Sequence, residues 1–188
     1  MVEGLLRQAD HRWAAKQLGK GTFTIGRAGC LLTCLTMAAN RLCLSDLTPV
    51  DADVLCTTAG AFNGSLLVVS KAAEVLGLSA PEAARVRAKP GDPHITNTIR
   101  DVLRQDGLAI IHVDHDSTKP TGAPEGDHFV LAFRLVKPDI GPEHYECADP
   151  APGTVVWLDT AKCEGTSKWG KQFKQYKATG VIPVWRKT

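Results

Sequence analysis

The chain has little that would mark it for nucleic acid, membrane or export. Only 6% of its residues are aromatic, and 22 Lys+Arg against 20 Asp+Glu leave a formal charge of +2. That is no footprint for a nucleic-acid partner, whose binding rests on phosphate neutralisation. The basic tail (Lys168, Lys171, Lys174, Lys177, Arg186, Lys187) is a local excess that reads as a solvated face. No apolar run approaches the roughly 20 residues of a membrane-spanning helix. At the N-terminus, Glu3, Arg7, Asp10 and Arg12 stand where a signal peptide is apolar. The expectation is an unprocessed cytoplasmic protein, with a phage particle or release to the cell wall without a signal peptide as the other routes.

The six cysteines (Cys30, Cys34, Cys43, Cys56, Cys147, Cys163) lack the paired C-x-x-C spacing of zinc ribbons. A chain of 188 residues can bury a core without staples, so reduced thiols are expected and a Cys147–Cys163 bridge is left open. Internal repeats and low-complexity tracts are absent, and residues 1–188 read as one domain. Oligomeric state is not legible.

What is present begins with a helical half. Leu31, Cys34, Leu35, Ala38 and Leu42 fall on one helix face that starts after Gly26–Gly29 and ends near Arg41. Further helices are expected over Ser65–Leu76 (Ser65 as N-cap, Gly77 as stop), Thr96–Gln105 and, after the Thr48-Pro49 start signal, to Ala59. Beyond Gly107 the pattern changes to short β-branched runs: Leu108–Val113, Phe129–Val136, Tyr145–Ala148, Val155–Leu158 and Val181–Trp185. Helices first and strands later read as α+β, an antiparallel sheet packed on an N-terminal helical layer. The polar stretch Asp114–Asp127, with Pro120, Gly122, Pro124 and Gly126, is long enough to be a flap.

Chemistry concentrates at four positions. Cys30 follows Gly29 at the start of the first strong helix, where unpaired N–H groups and the positive dipole end favour a thiolate. Taken alone, it would be a small buried residue opening a core helix. His128 opens the strand Phe129–Val136, from which an imidazole could reach a thiol on a neighbouring helix. Asp149 ends the next strand. If the two strands form a hairpin, Asp149 meets His128 at one sheet end and can hold the ring by a hydrogen bond. Gln8, in the arm Gln8-Ala9-Asp10-His11-Arg12-Trp13, supplies an amide for a developing oxyanion if that arm packs across the helix start. Asp10, Arg12 and Trp13 would anchor the arm.

Rival constellations are weaker. His112, Asp114, His115 and Asp116 suggest a metal site, but strand alternation separates His112 and Asp114 from His115. Gly19-Lys20-Gly21-Thr22 lacks the spacing and preceding strand of a phosphate loop. Trp157, Trp169, Tyr176 and Trp185 read as core and rim rather than as a sugar or peptide groove.

Gln8-x-Asp10-x-Arg12-Trp13, Leu18-Gly19, Thr24-Ile25-Gly26 and Gly29-Cys30-Leu31-Leu32-Thr33 resemble the opening of bacteriocin-processing-like, papain-fold cysteine peptidases. Asp127-His128-Phe129-Val130-Leu131 and Ala148-Asp149-Pro150 are similar to that family's histidine and aspartate motifs. The offset of 22 positions from Gln8 to Cys30 matches its stand-alone bacterial and phage branch rather than its exporter-linked members, and Leu31 replaces the glycine that commonly follows the nucleophile. The resemblance implies a papain-like fold with Cys30 as nucleophile, His128 as general base and acid, Asp149 as orienting carboxylate and Gln8 as oxyanion donor. It also implies a peptide, protein or peptidoglycan-peptide substrate and no cofactor or metal. The alternatives are an inactive peptide- or wall-fragment-binding module, and a thiol-dependent acyl transferase.

Overall fold

Local signals account for most of the N-terminal half of the computed structural model, which describes residues 4–115 and 127–188. A one-turn helix α1 (Ile25–Ala28) leads through Gly29 into α2 (Cys30–Cys43). From Leu32 to Ala39 every α2 residue is buried, so this helix runs through the core rather than along the surface. The Thr33 and Thr36 hydroxyls are satisfied inside it, donating to the Gly29 and Leu32 carbonyls. Helix α3 (Pro49–Thr58) starts on a reciprocal capping box between Thr48 and Asp51 with Pro49 at its first position.

The helix expected over Ser65–Leu76 is shorter than its sequence pattern. Strands β1 (Phe62–Asn63) and β2 (Leu66–Leu67) form a hairpin, and α4 (Val69–Val75) begins only after it. Gly64, at φ +63°, takes the left-handed conformation the turn needs, and Ser65 sits in that turn instead of capping a helix. Short strands β3 (Leu78–Ser79) and β4 (Val86–Arg87) follow. Helix α5 (Pro93–Arg104) is capped by Asp92, which accepts from the His94 N–H at 2.8 Å. Its Ile95, Ile99 and Val102, spaced by one turn each, are buried; each contributes about 1.5–3 kcal/mol of burial.

The second half is where expectation and structure part. Strands β5 (Leu108–Asp114), β6 (Asp127–Val136), β7 (His144–Asp149), β8 (Thr154–Asp159), β9 (Glu164–Trp169) and β10 (Gln172–Arg186) pair antiparallel in sequence order. Strand β10 is long enough to do two jobs: Gln172–Lys177 pairs with β9, and Lys177–Val184 pairs with β5. The six strands thereby close into an antiparallel barrel, with β3 and β4 added to β10 outside it. This corrects the papain-like α+β arrangement of a helical layer on an open sheet. Glu164–Trp169 and Gln172–Thr179 are rich in lysine, glycine and hydroxyl residues, and carry too few apolar side chains to be read as strands. Lys168 and Lys177 do point to solvent, but they alternate with buried Ser167, Tyr176 and Ala178. A bulge between Ala178 and Gly180 bends β10 from one partner to the other.

Alternation along the strands separates two cores. Leu108, Ile110, Leu131 and Ala148 pack outward on α2 and its neighbours. Ile111, Val130, Tyr145, Cys147, Leu158 and Tyr176 turn inward with Ile95 and Ile99 of α5. His128 lies two residues before Val130, and Asp149 two after Cys147, so both belong to the inward face.

Candidate functional site

Gly29 is fixed by close approach: a Cβ there would run into the Ile25 carbonyl, whose oxygen accepts the Gly29 N–H at 2.8 Å. The tight joint makes Cys30 the first residue of α2, among the N–H groups that have no acceptor within the helix. Cys30 is half-buried. The other thiols are also free, Cys147 and Cys163 included, so no bridge links those two. Burial pushes Cys34 and Cys147 far above an ordinary thiol, pushes Cys56 up to about 12, and raises Cys163.

His128 comes to the same place from inside the barrel. It is 2% exposed, and its Nε2 lies 2.8 Å from Asp149 Oδ1. The β6–β7 hairpin register, Leu131 opposite Ala148, brings the two residues to one barrel end as the strand pattern implied. With Nε2 engaged by Asp149, Nδ1 is the ring nitrogen left over, and the Cys30 thiol is the second group that acts on the ring. Burial alone would pull the imidazole down. Hydrogen bonds to Asp149 and Cys30, and the charges of both, outweigh it and raise the ring to about 9.

Asp149 is fully buried, which by itself would raise it, yet it is held below the ordinary carboxylate range by the hydrogen bonds it accepts. Its Oδ1 takes His128 and the Ala151 N–H at 3.0 Å; its Oδ2 takes the Ser167 hydroxyl at 2.6 Å and the Tyr176 hydroxyl at 2.7 Å. Tyr176 in turn accepts from Trp169 Nε1 at 2.7 Å. The His128 ring is boxed by aromatic rings, with its centroid 5.1 Å from Trp169 and 5.8 Å from Tyr176. Ser167, Trp169 and Tyr176 were not among the site residues expected from sequence. Their only signal is the alternation of β9 and β10, which the lysines mask.

Gln8 is drawn in from the N-terminal arm. Its backbone N–H donates to the Pro150 carbonyl at 2.8 Å, and its side-chain Nε2 donates to the Gly26 carbonyl at 3.2 Å. One hydrogen of the amide nitrogen is thus engaged and one remains, while Oε1 is buried without a partner. Trp13, 3% exposed, locks the arm by donating Nε1 to the Arg7 carbonyl at 2.9 Å. Asp10 and Arg12 pair at 2.9 Å on its surface.

The rival His112–His115 stretch divides as alternation requires. His112 places Nδ1 2.6 Å from the Thr179 hydroxyl and Nε2 3.2 Å from Asp127. His115 lies on the other face, its ring 5.0 Å from Trp169 and 6.3 Å from His128. Burial first, then the charges of His128 and Lys174, keep His115 below the usual imidazole value. No group of three metal-ligating side chains occurs among the described residues. Asp116 and the supposed flap residues Pro120, Gly122, Pro124 and Gly126 lie outside them. Trp157 is largely exposed beside His144, whereas Tyr176 belongs to the Asp149 network. No helix among the described residues is long and apolar enough to cross a membrane.

No protein-family model matches the chain, and no curated protein matches it significantly. The chemistry of the site carries the functional reading.

Proposed function

We propose that this protein is a cysteine hydrolase that cleaves a peptide or isopeptide bond, as its motif resemblance to the bacteriocin-processing-like peptidases implies. The observation that carries the reading is the hydrogen-bonded series from Tyr176 through Asp149 to a buried His128, whose imidazole Asp149 and the Cys30 thiol together raise to about 9. A purely structural histidine at this depth would be pushed toward neutrality; one held cationic beside a thiol is suited to acyl transfer.

In this reading the proton rests on the ring and the sulfur is the anion. Cys30 Sγ attacks the carbonyl carbon, and the oxyanion is met by the Cys30 backbone N–H and the free hydrogen of Gln8 Nε2. His128 gives its proton to the leaving nitrogen as the C–N bond breaks, leaving a thioester. It then takes a proton from water, whose oxygen attacks the thioester; the C–S bond breaks, the acid leaves, and thiolate and imidazolium are restored. Asp149 fixes the ring's orientation throughout.

Iodoacetamide labelling at pH 6 tests this, comparing parent protein with Cys30→Ala and locating adducts by peptide mass mapping. Burial keeps Cys34, Cys56, Cys147 and Cys163 protonated there, so rapid labelling confined to Cys30 supports the reading. Labelling that is unchanged in the variant sinks it.

A further inference from the structure

Beside the thiol, on the helical side of β6, lies a cavity of about 210 Å³ whose lining includes Cys30 itself. Its walls are apolar: Leu18, Phe23, Leu31, Phe62, Leu67 and Phe129. Of the two charged residues at its border, Asp127 faces His112 at 3.2 Å, and the exposed Arg27 guanidinium lies 5.0 Å from the ring centroid of Phe23, itself a wall residue.

The cavity is built rather than incidental. The 18–23 loop and the β1–β2 hairpin that wall it are tied together, Lys20 N–H donating to the Gly64 carbonyl at 3.1 Å and Phe23 N–H to Ser65 Oγ at 3.3 Å. The Gly19 N–H is held by Asp53 of α3 at 2.8 Å. A Cβ at Gly19 would press on the Phe62 ring at 2.6 Å, so the loop lies directly against the hairpin.

Size decides what fits. Sites that enclose a whole small molecule occupy about 300–1,000 Å³, whereas an apolar cavity of about 150 Å³ takes up benzene. At about 210 Å³ this one holds a single large side chain. Because Cys30 lines it, and a peptide advances about 3.5 Å per residue, that side chain belongs to a residue within one or two positions of the carbonyl attacked.

We infer that the substrate is a polypeptide carrying an aromatic or leucine-sized side chain next to the bond cleaved, seated between Phe62, Leu67 and Phe129. This rests on Cys30 being the attacking thiol. It also separates the substrate classes left open by the sequence: peptidoglycan peptides, built from glycine, alanine and charged residues, offer nothing that fills the cavity.

Two measurements test it. Two series of capped peptidyl vinyl sulfones, differing only in Gly, Ala, Leu or Phe at the first or at the second residue from the electrophile, are reacted with the parent protein, and Cys30 adduct formation is followed by intact mass. In one of the two series Leu and Phe are expected to react at least about tenfold faster than Gly. Equal rates in both, with Cys30 labelled readily by iodoacetamide, overturn the cavity assignment and leave the thiol reading intact. Independently, Cys30→Ala protein is titrated with the matching capped peptides lacking the electrophile, observing the methyl NMR signals of Leu31 and Leu67. Shifts with the Phe peptide and none with the Gly peptide support the cavity assignment even if the thiol proves inert; identical responses to both, or none to either, overturn it.

Discussion

Tyr176 donates its hydroxyl to Asp149 Oδ2 at 2.7 Å, the carboxylate oxygen that His128 does not use. Tyr176 sits on β10 and Asp149 on β7, strands that are not neighbours in the barrel, so the bond crosses the interior. Barrel closure and the ionisation of the site are therefore linked through one carboxylate.

Asp149→Asn removes the leading interaction that raises the ring. With the carboxylate gone, burial pulls His128 down from about 9, and the alkaline limb of any activity, or of Cys30 alkylation as a pH profile, moves to lower pH. A loss of up to about 10⁴ in kcat is expected from the precedent of orienting carboxylates. An alkaline limb that stays in place would show that Asp149 does not set the charge of the ring.

Tyr176→Phe deletes one donor of the four that Asp149 accepts and leaves Trp169 Nε1 without its acceptor. The cost in stability is about 1–3 kcal/mol, read from the urea midpoint. The His128 limb should stay nearly in place, because Asp149 keeps its charge: Ser167 still holds Oδ2 at 2.6 Å and Oδ1 still takes the ring at 2.8 Å.

Stability should fall as pH rises from 7 to 9. His128 is raised from 6.5 to about 9 on folding, so its contribution is complete below 6.5 and is lost between 6.5 and 9. Asp149 is lowered, so its own contribution disappears only in acid, below the ordinary carboxylate value. Denaturant midpoints at pH 7 and pH 9, compared between the parent and His128→Gln, isolate the effect: the fall is smaller in the variant.

Gln8→Ala is expected to lower kcat by about 10²–10³, as loss of an oxyanion donor does, while leaving the arm in position. The backbone bond from Gln8 to Pro150 and the buried Trp13 do not depend on the deleted amide. An unchanged melting temperature with reduced turnover distinguishes this from misplacement of the arm.

Gly165→Ala tests closure directly. Gly165 pairs with Leu158 on one side and Tyr176 on the other, and an added Cβ would collide with the Trp157 backbone carbonyl. Overpacking of this kind costs about 1–3 kcal/mol. A lower melting temperature accompanied by a downward shift of the His128 limb would confirm that β9 supports the site.

The sequence by itself determined the short-range features. The Thr48-Pro49 start of α3, the run of α2 and the strands β5 to β8 all depend on neighbours a few residues apart, whereas α5 begins at Pro93, about one turn before the Thr96 start expected. The His128–Asp149 pairing was legible for the same reason, because a hairpin's register follows from its two strands. The Ser65 helix failed because Gly64 makes a turn available and the hairpin packs on the 18–23 loop, a contact no local pattern records. Closure of the barrel, and with it Ser167 and Tyr176 on Asp149, was decided only in three dimensions. Strands that expose Lys168, Phe173 and Lys177 and bury Ser167, Tyr176 and Ala178 show no clean apolar period of two, and nothing near them in the chain says that one β10 will hold both β9 and β5. The meeting of Cys30, brought from outside the barrel by α2, with His128, brought from within, depends on that same long-range packing.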